Sequence, residues 1–222
     1  MTQSFPTTRR RFLARAALVI AASAAVVALP AAAQLVEGKN YVRLQQPVPV
    51  DTGKKIEVIE FFSYGCPHCG DLEPVLQGWL KTVPPDVQFR RIPVTFQRAW
   101  ENLARSYYTL EALGEEVKLS PELFAAIHSK GMNLSEPKAF FDWAATKGLD
   151  RKKVEDLYNS FTMASKISRA KQQAQQYNIQ SVPTLIVDGK FVTASDKIGG
   201  HSNVPMALNE LIARARSERP KS

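Results

Sequence analysis

The sequence predicts an α/β fold in which a block of helices interrupts a small sheet. An apolar, β-branched run at 56–62 and an alternating run at 87–93 enclose a helical pattern. A strand, a helix and a strand this close together favour a parallel βαβ unit. Apolar residues at helical spacing then dominate 97–177. Strand signals return at 181–192, and a closing helix is expected at 204–215.

The first part of the predicted sheet begins with an edge strand at 41–44. The central strand, 56–62, leads into a helix at 66–81. Pro74 should kink this helix, because its ring removes one backbone hydrogen bond. A Pro-Pro-Asp turn then precedes the strand at 87–93, whose residues alternate in polarity.

The inserted block is predicted to hold five helices. Ser120 followed by Pro121 predicts the start of the second, and Asp150 predicts the start of the fourth, which should continue through Phe161. The aromatic residues of the block, Phe161 among them, are expected to form a packed core rather than a cofactor pocket.

Two short signals mark the return to the sheet. Val182-Pro183 opens a strand, and the residues alone leave open whether this proline is a trans strand opener or a cis residue in a tight turn. Asp188-Gly189 separates two β-rich runs and predicts a hairpin with a mirror-type turn.

The N-terminal segment 1–33 is predicted to be a cleaved export signal. Arg9-Arg10 lies before an uncharged, alanine-rich stretch that closes on small residues, which is typical of cleavage near Ala33. A membrane anchor is the alternative, but the stretch is weakly apolar and is interrupted by Pro30. The arginine pair is compatible with the twin-arginine route, and the general Sec route stays open.

Charge and cysteine content narrow the classes of function. The chain has a formal net charge of +8, and without the four arginines of the signal it has 25 basic against 21 acidic residues. No basic run indicates a nucleic-acid partner. Cys66 and Cys69 are the only cysteines, whereas an exported domain that relied on disulfides for stability would carry more. These two are therefore expected to react.

The cysteines lie at the predicted start of a helix, as Cys66-Pro67-His68-Cys69. Unpaired N–H groups and the macrodipole at a helix N-terminus stabilise a thiolate, so the pKa of Cys66 should fall below the free value of about 8.5. Pro67 suits the first helical position, and His68 could donate to the Cys66 sulfur or add positive charge. Cys69, a turn deeper, should be more buried and less acidic. The outer sulfur would then attack and the inner one resolve.

Two other interpretations of the Cys-x-x-Cys motif are a structural zinc site and an inert structural disulfide. A structural zinc ion needs four Cys or His ligands, and no second pair accompanies His128 and His201 in the sequence. No metal is therefore expected.

The motifs together resemble those of the DsbA family of disulfide oxidases, which have a thioredoxin fold. The resemblance covers nearly all of 40–216 and rests on features in the family's order: Glu60-Phe61-Phe62-Ser63 before Cys66-Pro67-His68-Cys69, a helical insertion, and Val182-Pro183-Thr184-Leu185. It implies a thioredoxin fold interrupted by an inserted all-helical domain. The expected division is a discontinuous thioredoxin-like domain, 40–96 and 178–216, with the insertion at 97–177.

The resemblance also implies roles for the residues of the redox motif. Cys66 would be the nucleophile and Cys69 the resolving thiol. Pro67 and His68 would tune the reduction potential. The pair Tyr64-Gly65 differs from the two bulky aromatic residues of the best-known members. The surface around Cys66, and with it the substrate preference, is therefore not implied by the resemblance.

Further roles fall outside the motif. Pro183 would be cis and face the nucleophile, with Val182 offering backbone groups to a substrate peptide. Glu60 would be a buried carboxylate that assists proton transfer, its alternative being a surface position. Glu73 is a weaker candidate for the same electrostatic role, and His201 could line the rim of the site or be a plain loop histidine.

The implied function is disulfide donation in the periplasm. The Cys66–Cys69 disulfide would pass to reduced, newly exported proteins through a mixed disulfide at Cys66, and a membrane quinone-coupled, DsbB-type partner would reoxidise the protein. No cofactor is expected beyond the redox-active disulfide, and a monomer is expected. The alternatives are a reductase or isomerase of the same compartment, a peptide-binding chaperone with an incidental redox pair, and a metal-delivery protein.

Overall fold

A computed structural model of the chain describes residues 1–2 and 34–219. The strands are β1 Val42–Arg43, β2 Ile56–Phe62, β3 Val87–Pro93, β4 Thr184–Val187 and β5 Phe191–Thr193. The helices are α1 Pro67–Leu80, α2 Arg98–Ala112, α3 Glu116–His128, α4 Pro137–Thr146, α5 Arg151–Tyr158, α6 Phe161–Gln176 and α7 Val204–Glu218. Two short 3-10 helices, Ser195–Ile198 and His201–Asn203, lie between β5 and α7.

The strands form one mixed sheet in the order β1-β5-β4-β2-β3. β2 pairs in parallel with β3 and antiparallel with β4, so the predicted parallel βαβ unit is confirmed. β1 lies at the edge, as predicted. Asp188 and Gly189 have φ values of 55° and 62°, which are the positive values that a mirror-type hairpin turn requires. A Cβ on Gly189 would lie 2.0 Å from the Val48 carbonyl oxygen, so this position needs glycine.

β2 is buried along its whole length because helices cover both faces of the sheet. On one face, α1 and α7 pack against the sheet through apolar residues such as Leu72, Leu76 and Leu208. On the other face, the inserted helices build a second core around Phe62 and Tyr107. The second core includes Phe61, Phe62 and Cys66, so it holds the end of β2 that leads into α1.

The five predicted helices of the inserted block are present as α2 to α6, with two shifted boundaries. α3 begins at Glu116, four residues before the predicted cap, and the Ser120 hydroxyl bonds the buried Tyr64 hydroxyl from inside the helix. Asp150 caps α5 as predicted, by accepting a hydrogen bond from the Lys153 N–H at 2.8 Å.

α5 is shorter than predicted and ends at Tyr158, because the Ser160 side chain accepts from the Met163 N–H and starts α6. The expectation that Phe161 is a core residue was wrong. This side chain stands at the first turn of α6 and is 87% exposed.

Within the described part, the chain from Leu35 to Arg219 forms one compact unit. The division into 40–96 with 178–216 and an insertion at 97–177 stays a prediction. The predicted signal and its cleavage near Ala33 fall on residues outside the described part, except for Met1 and Thr2. Among the described residues, no helix is both long and apolar enough to cross a membrane.

Candidate active site

Cys66 lies at the junction between β2 and α1. It is the N-cap residue of α1, with an extended backbone (φ −100°, ψ 114°), and Pro67 occupies the first helical position, as expected. The Cys66 carbonyl accepts hydrogen bonds from the N–H groups of Cys69 at 3.1 Å and Gly70 at 3.2 Å. The sulfur therefore lies where the unpaired N–H groups of the helix point.

The Cys66 thiol is acidic. Its pKa is lowered from 9.0 to about 6, first because the Cys69 thiol donates to the Cys66 sulfur. The backbone N–H groups of Cys69 and His68 add to this effect, and the charge of His68 contributes least. Burial acts in the opposite direction, since Cys66 is 6% exposed. The helix terminus and His68 thus act as expected, but the neighbouring thiol is the larger cause.

Cys69 is less acidic than Cys66 and lies deeper. It is fully buried, and burial raises its pKa far above the ordinary value. Its hydrogen bond to Cys66 and the nearby charge of Glu60 raise the pKa further. The two sulfurs therefore differ in the sense that the sequence predicted, with an acidic outer thiol and a protonated inner one.

The His68 ring is directed away from the core. Its side chain is 75% exposed, and its Nδ1 lies 3.8 Å from the Asp71 carboxylate one turn along α1. The contact that His68 makes to the Cys66 sulfur runs through its backbone N–H rather than its ring. This side chain is thus available at the rim of the site.

The Val182-Pro183 peptide bond is cis, and it lies opposite Cys66. The Cys66 thiol donates to the Val182 carbonyl oxygen at 3.5 Å, across 116 residues of sequence. Pro183 is buried while Val182 is half-buried. The geometry leaves the Val182 backbone beside the reactive sulfur at the start of β4.

Beneath the cysteines lies a buried ion cluster centred on Arg91. Its guanidinium donates to Glu60 at 2.8 Å, to Glu73 at 2.5 Å and to Glu116 at 3.0 Å. Glu60 and Arg91 are partners in the parallel register of β2 and β3, which places the two side chains together. The surface alternative for Glu60 was therefore wrong.

The pKa of Glu60 is set by its burial and by the charges of this cluster. Burial raises the pKa of Glu60 to about 7, although Arg91 acts to lower it. The charges of Glu73 and Glu116 add to the increase. A carboxyl group that titrates near neutral pH, next to the buried thiol of Cys69, is suited to move a proton.

The loop before Cys66 is anchored to the inserted helices. The Tyr64 hydroxyl lies 2.6 Å from the Ser120 hydroxyl, which in turn donates to Glu116 at 3.2 Å. The Tyr64 carbonyl oxygen lies 2.8 Å from His128 Nε2. These contacts connect the loop to the ion cluster.

Gly65, the residue next to Cys66, lies beneath Trp100. A Cβ on Gly65 would meet Trp100 Nε1 at 2.6 Å, so this position has no room for a side chain. Two bulky aromatic residues precede the redox motif in the best-known members of the family. Here Tyr64 is buried and Gly65 is covered by Trp100, so a second bulky side chain would not fit at position 65.

Sequence reasoning missed several residues of this region, namely Arg91, Glu116, Ser120 and Trp100. The position of Arg91 within a predicted strand was visible in the sequence, but its pairing with Glu60 depends on the register between the two strands. The others contact the site only through tertiary packing, which no local pattern reveals.

Comparison with known proteins decides the family. A family model described as DSBA-like thioredoxin domain matches residues 57–203. The chain belongs to the DsbA family. A thiol:disulfide interchange protein DsbA from Bordetella parapertussis is 37% identical over 211 residues, covering 95% of this chain and 98% of the relative. A protein of the same name from Pseudomonas aeruginosa is 38% identical over 184 residues, covering 83% and 87%.

Solved structures of DsbA proteins share the fold. A crystal structure of Pseudomonas aeruginosa DsbA superposes with a TM-score of 0.79 at 37% identity, covering 82% of this chain and 95% of that one. A reduced DsbA from Neisseria meningitidis gives a TM-score of 0.75 at 30% identity, covering 84% and 97%. The predicted thioredoxin-like fold is confirmed, and the DsbA-family chain is a thiol:disulfide oxidoreductase.

Proposed function

We propose that this protein donates its Cys66–Cys69 disulfide to reduced, newly exported proteins in the periplasm. The observation that carries the proposal is the difference between the two sulfurs. The acidic Cys66 is stable as a thiolate, which favours the reduced protein and makes the disulfide form oxidising. Since Cys69 is buried, an incoming thiolate can reach only the Cys66 sulfur.

The transfer takes place in two exchanges. A substrate thiolate attacks the Cys66 sulfur, the Cys66–Cys69 bond breaks, and a mixed disulfide forms while Cys69 leaves as a thiolate. A second substrate thiolate then attacks the substrate sulfur of the mixed disulfide and displaces the Cys66 thiolate. The substrate loses two electrons to the protein and gains a disulfide. Because Cys66 is acidic it is a good leaving group in this second exchange.

Glu60 supplies the proton that Cys69 needs in the first exchange. The pKa of Cys69 lies far above neutral, so its thiolate takes up a proton as it forms. The raised pKa of Glu60, about 7, keeps a fraction of this carboxyl protonated at neutral pH. Arg91 keeps Glu60 oriented and offsets its charge after the transfer.

Substrate chains bind beside Cys66 along the Val182-Pro183 segment. The half-buried Val182 offers its backbone groups to an extended peptide, as in strand addition. Phe96 is 49% exposed and stacks on Trp100, with ring centroids 5.8 Å apart. The exposed Phe96, stacked on the half-buried Trp100 next to Gly65, suits the apolar segments that an unfolded chain presents.

The remaining parts of the proposal concern the cellular setting. The signal at 1–33 directs export, with cleavage near Ala33. A membrane quinone-coupled protein of the DsbB type reoxidises the Cys66/Cys69 dithiol. The exchange needs neither a metal nor an organic cofactor, and the protein acts as a monomer.

The test uses a reduced, unfolded secreted protein with two cysteines. The oxidised protein should consume both substrate thiols stoichiometrically, and Cys66→Ser should consume none. Cys69→Ser, charged at Cys66 with a small thiol, should pass through a mixed disulfide that gel electrophoresis detects. Substrate oxidation by Cys66→Ser at the wild-type rate would overturn the proposal and favour a chaperone. Preferential reduction of substrate disulfides would favour the reductase.

A further inference from the structure

Three metal-ligating side chains meet at the rim of the redox site. His68 and Asp71 lie in the first turns of α1, and His201 lies in the short 3-10 helix before α7. One ligand atom from each lies within 4.8 Å of the others. The residues come from segments about 130 positions apart in the sequence, so only the fold brings them together.

The His201 ring is held in an orientation that suits a ligand. Its Nδ1 lies 2.8 Å from the hydroxyl of the buried Ser195, which leaves Nε2 as the nitrogen available to a metal ion. Metal-binding histidines commonly have their second nitrogen bonded in this way. Gly199 and Gly200, with φ values of 82° and 117°, let the chain turn immediately before His201.

The other two ligands can move to complete the geometry. In a tetrahedral zinc site with bonds of about 2.1 Å, the ligand atoms lie about 3.4 Å apart. The side chains of His68 and Asp71 are 75% and 67% exposed, so small rotations can close the remaining distance. The Asp71 carboxylate also offsets the positive end of α1, which would otherwise disfavour a cation.

We propose that His68, Asp71 and His201 form a binding site for a divalent transition metal ion, with Zn²⁺ as the best-fitting ion. Two imidazoles and one carboxylate match the ligand set of open zinc sites, in which water occupies the fourth position. This site differs from the four-ligand structural zinc site that the sequence disfavours, and it uses neither cysteine. It places the ion beside Cys66, on the surface that substrate chains approach.

The site is tested by titrating zinc into the oxidised protein and measuring the heat of binding. In this form Cys66 and Cys69 are bonded to each other, so they do not compete as ligands. We expect one ion per chain. Asp71→Ala and His201→Ala should each weaken binding at least tenfold, and Ser195→Ala by roughly tenfold because it frees the His201 ring.

A matched control distinguishes this site from general binding to histidines. His128→Gln changes the histidine that contacts the Tyr64 carbonyl and should bind zinc as the wild type does. In nuclear magnetic resonance spectra, zinc should shift the imidazole signals of His68 and His201 and leave those of His128 in place. Absence of binding by the oxidised protein would overturn the proposal, as would equal affinity in Asp71→Ala. Because Asp71 is exposed, a loss of zinc binding in this variant cannot be attributed to misfolding.

Discussion

The acidity of Cys66 should appear as a pH-dependent stability of the reduced protein. A thiol whose pKa is about 6 in the folded state and 9.0 when unperturbed stabilises the fold most above pH 9, and this stabilisation is lost as the pH falls through 6. Between pH 5 and pH 8 the difference amounts to about 2.5 kcal/mol in the free energy of unfolding.

The assay is urea unfolding of the reduced wild type and of reduced Cys66→Ala across this pH range. Other groups titrate there too, because the raised pKa of Glu60, about 7, makes stability fall as the pH rises from 4.5 towards 7. Both proteins share that effect, so the difference between them isolates Cys66. We expect the wild type to gain stability relative to Cys66→Ala as the pH rises. Parallel stability curves for the two proteins would refute the reasoning.

Three further predictions concern the surroundings of the cysteines. Arg91→Leu should lower the free energy of unfolding by about 3–5 kcal/mol, since it leaves Glu60 and Glu73 buried without a cation. A loss below ~1 kcal/mol in urea unfolding would show that the ion cluster does not stabilise the fold as described. Glu60→Gln should slow the reduction of the disulfide by substrate thiols about a hundredfold in stopped-flow measurements, and an unchanged rate would show that Cys69 takes its proton elsewhere. Gly65→Ala should lower the free energy of unfolding by about 1–3 kcal/mol, because the added methyl group clashes with Trp100. Adding Trp100→Leu to this variant should recover part of the lost stability, and no recovery would argue against that contact.

Local patterns in the sequence were sufficient for the redox motif and most of the sheet. A β-rich run that ends in Ser-Tyr-Gly before Cys66-Pro67 predicts an N-cap thiol, because proline is favoured at the first position of a helix. The hairpin at Asp188-Gly189 follows from the positive φ values that its turn requires. In both cases the information lies within a few residues of the feature.

Features that depend on long-range packing were not predictable in this way. Arg91 contacts Glu60 because of the register between β2 and β3, and register depends on how whole strands pair. Ser120 looked like a helix cap because its alternative partner, Tyr64, is 56 residues away. The family resemblance, rather than the residues alone, favoured the cis form of Pro183.

The most direct test of disulfide donation is a redox titration of the Cys66/Cys69 pair against glutathione. An acidic Cys66 thiolate stabilises the reduced form, so we predict a reduction potential well above the range of about −200 to −230 mV that is typical of glutaredoxins. A potential at or below about −270 mV, the value of thioredoxin, would mean that the pair is a reductant and would contradict the account.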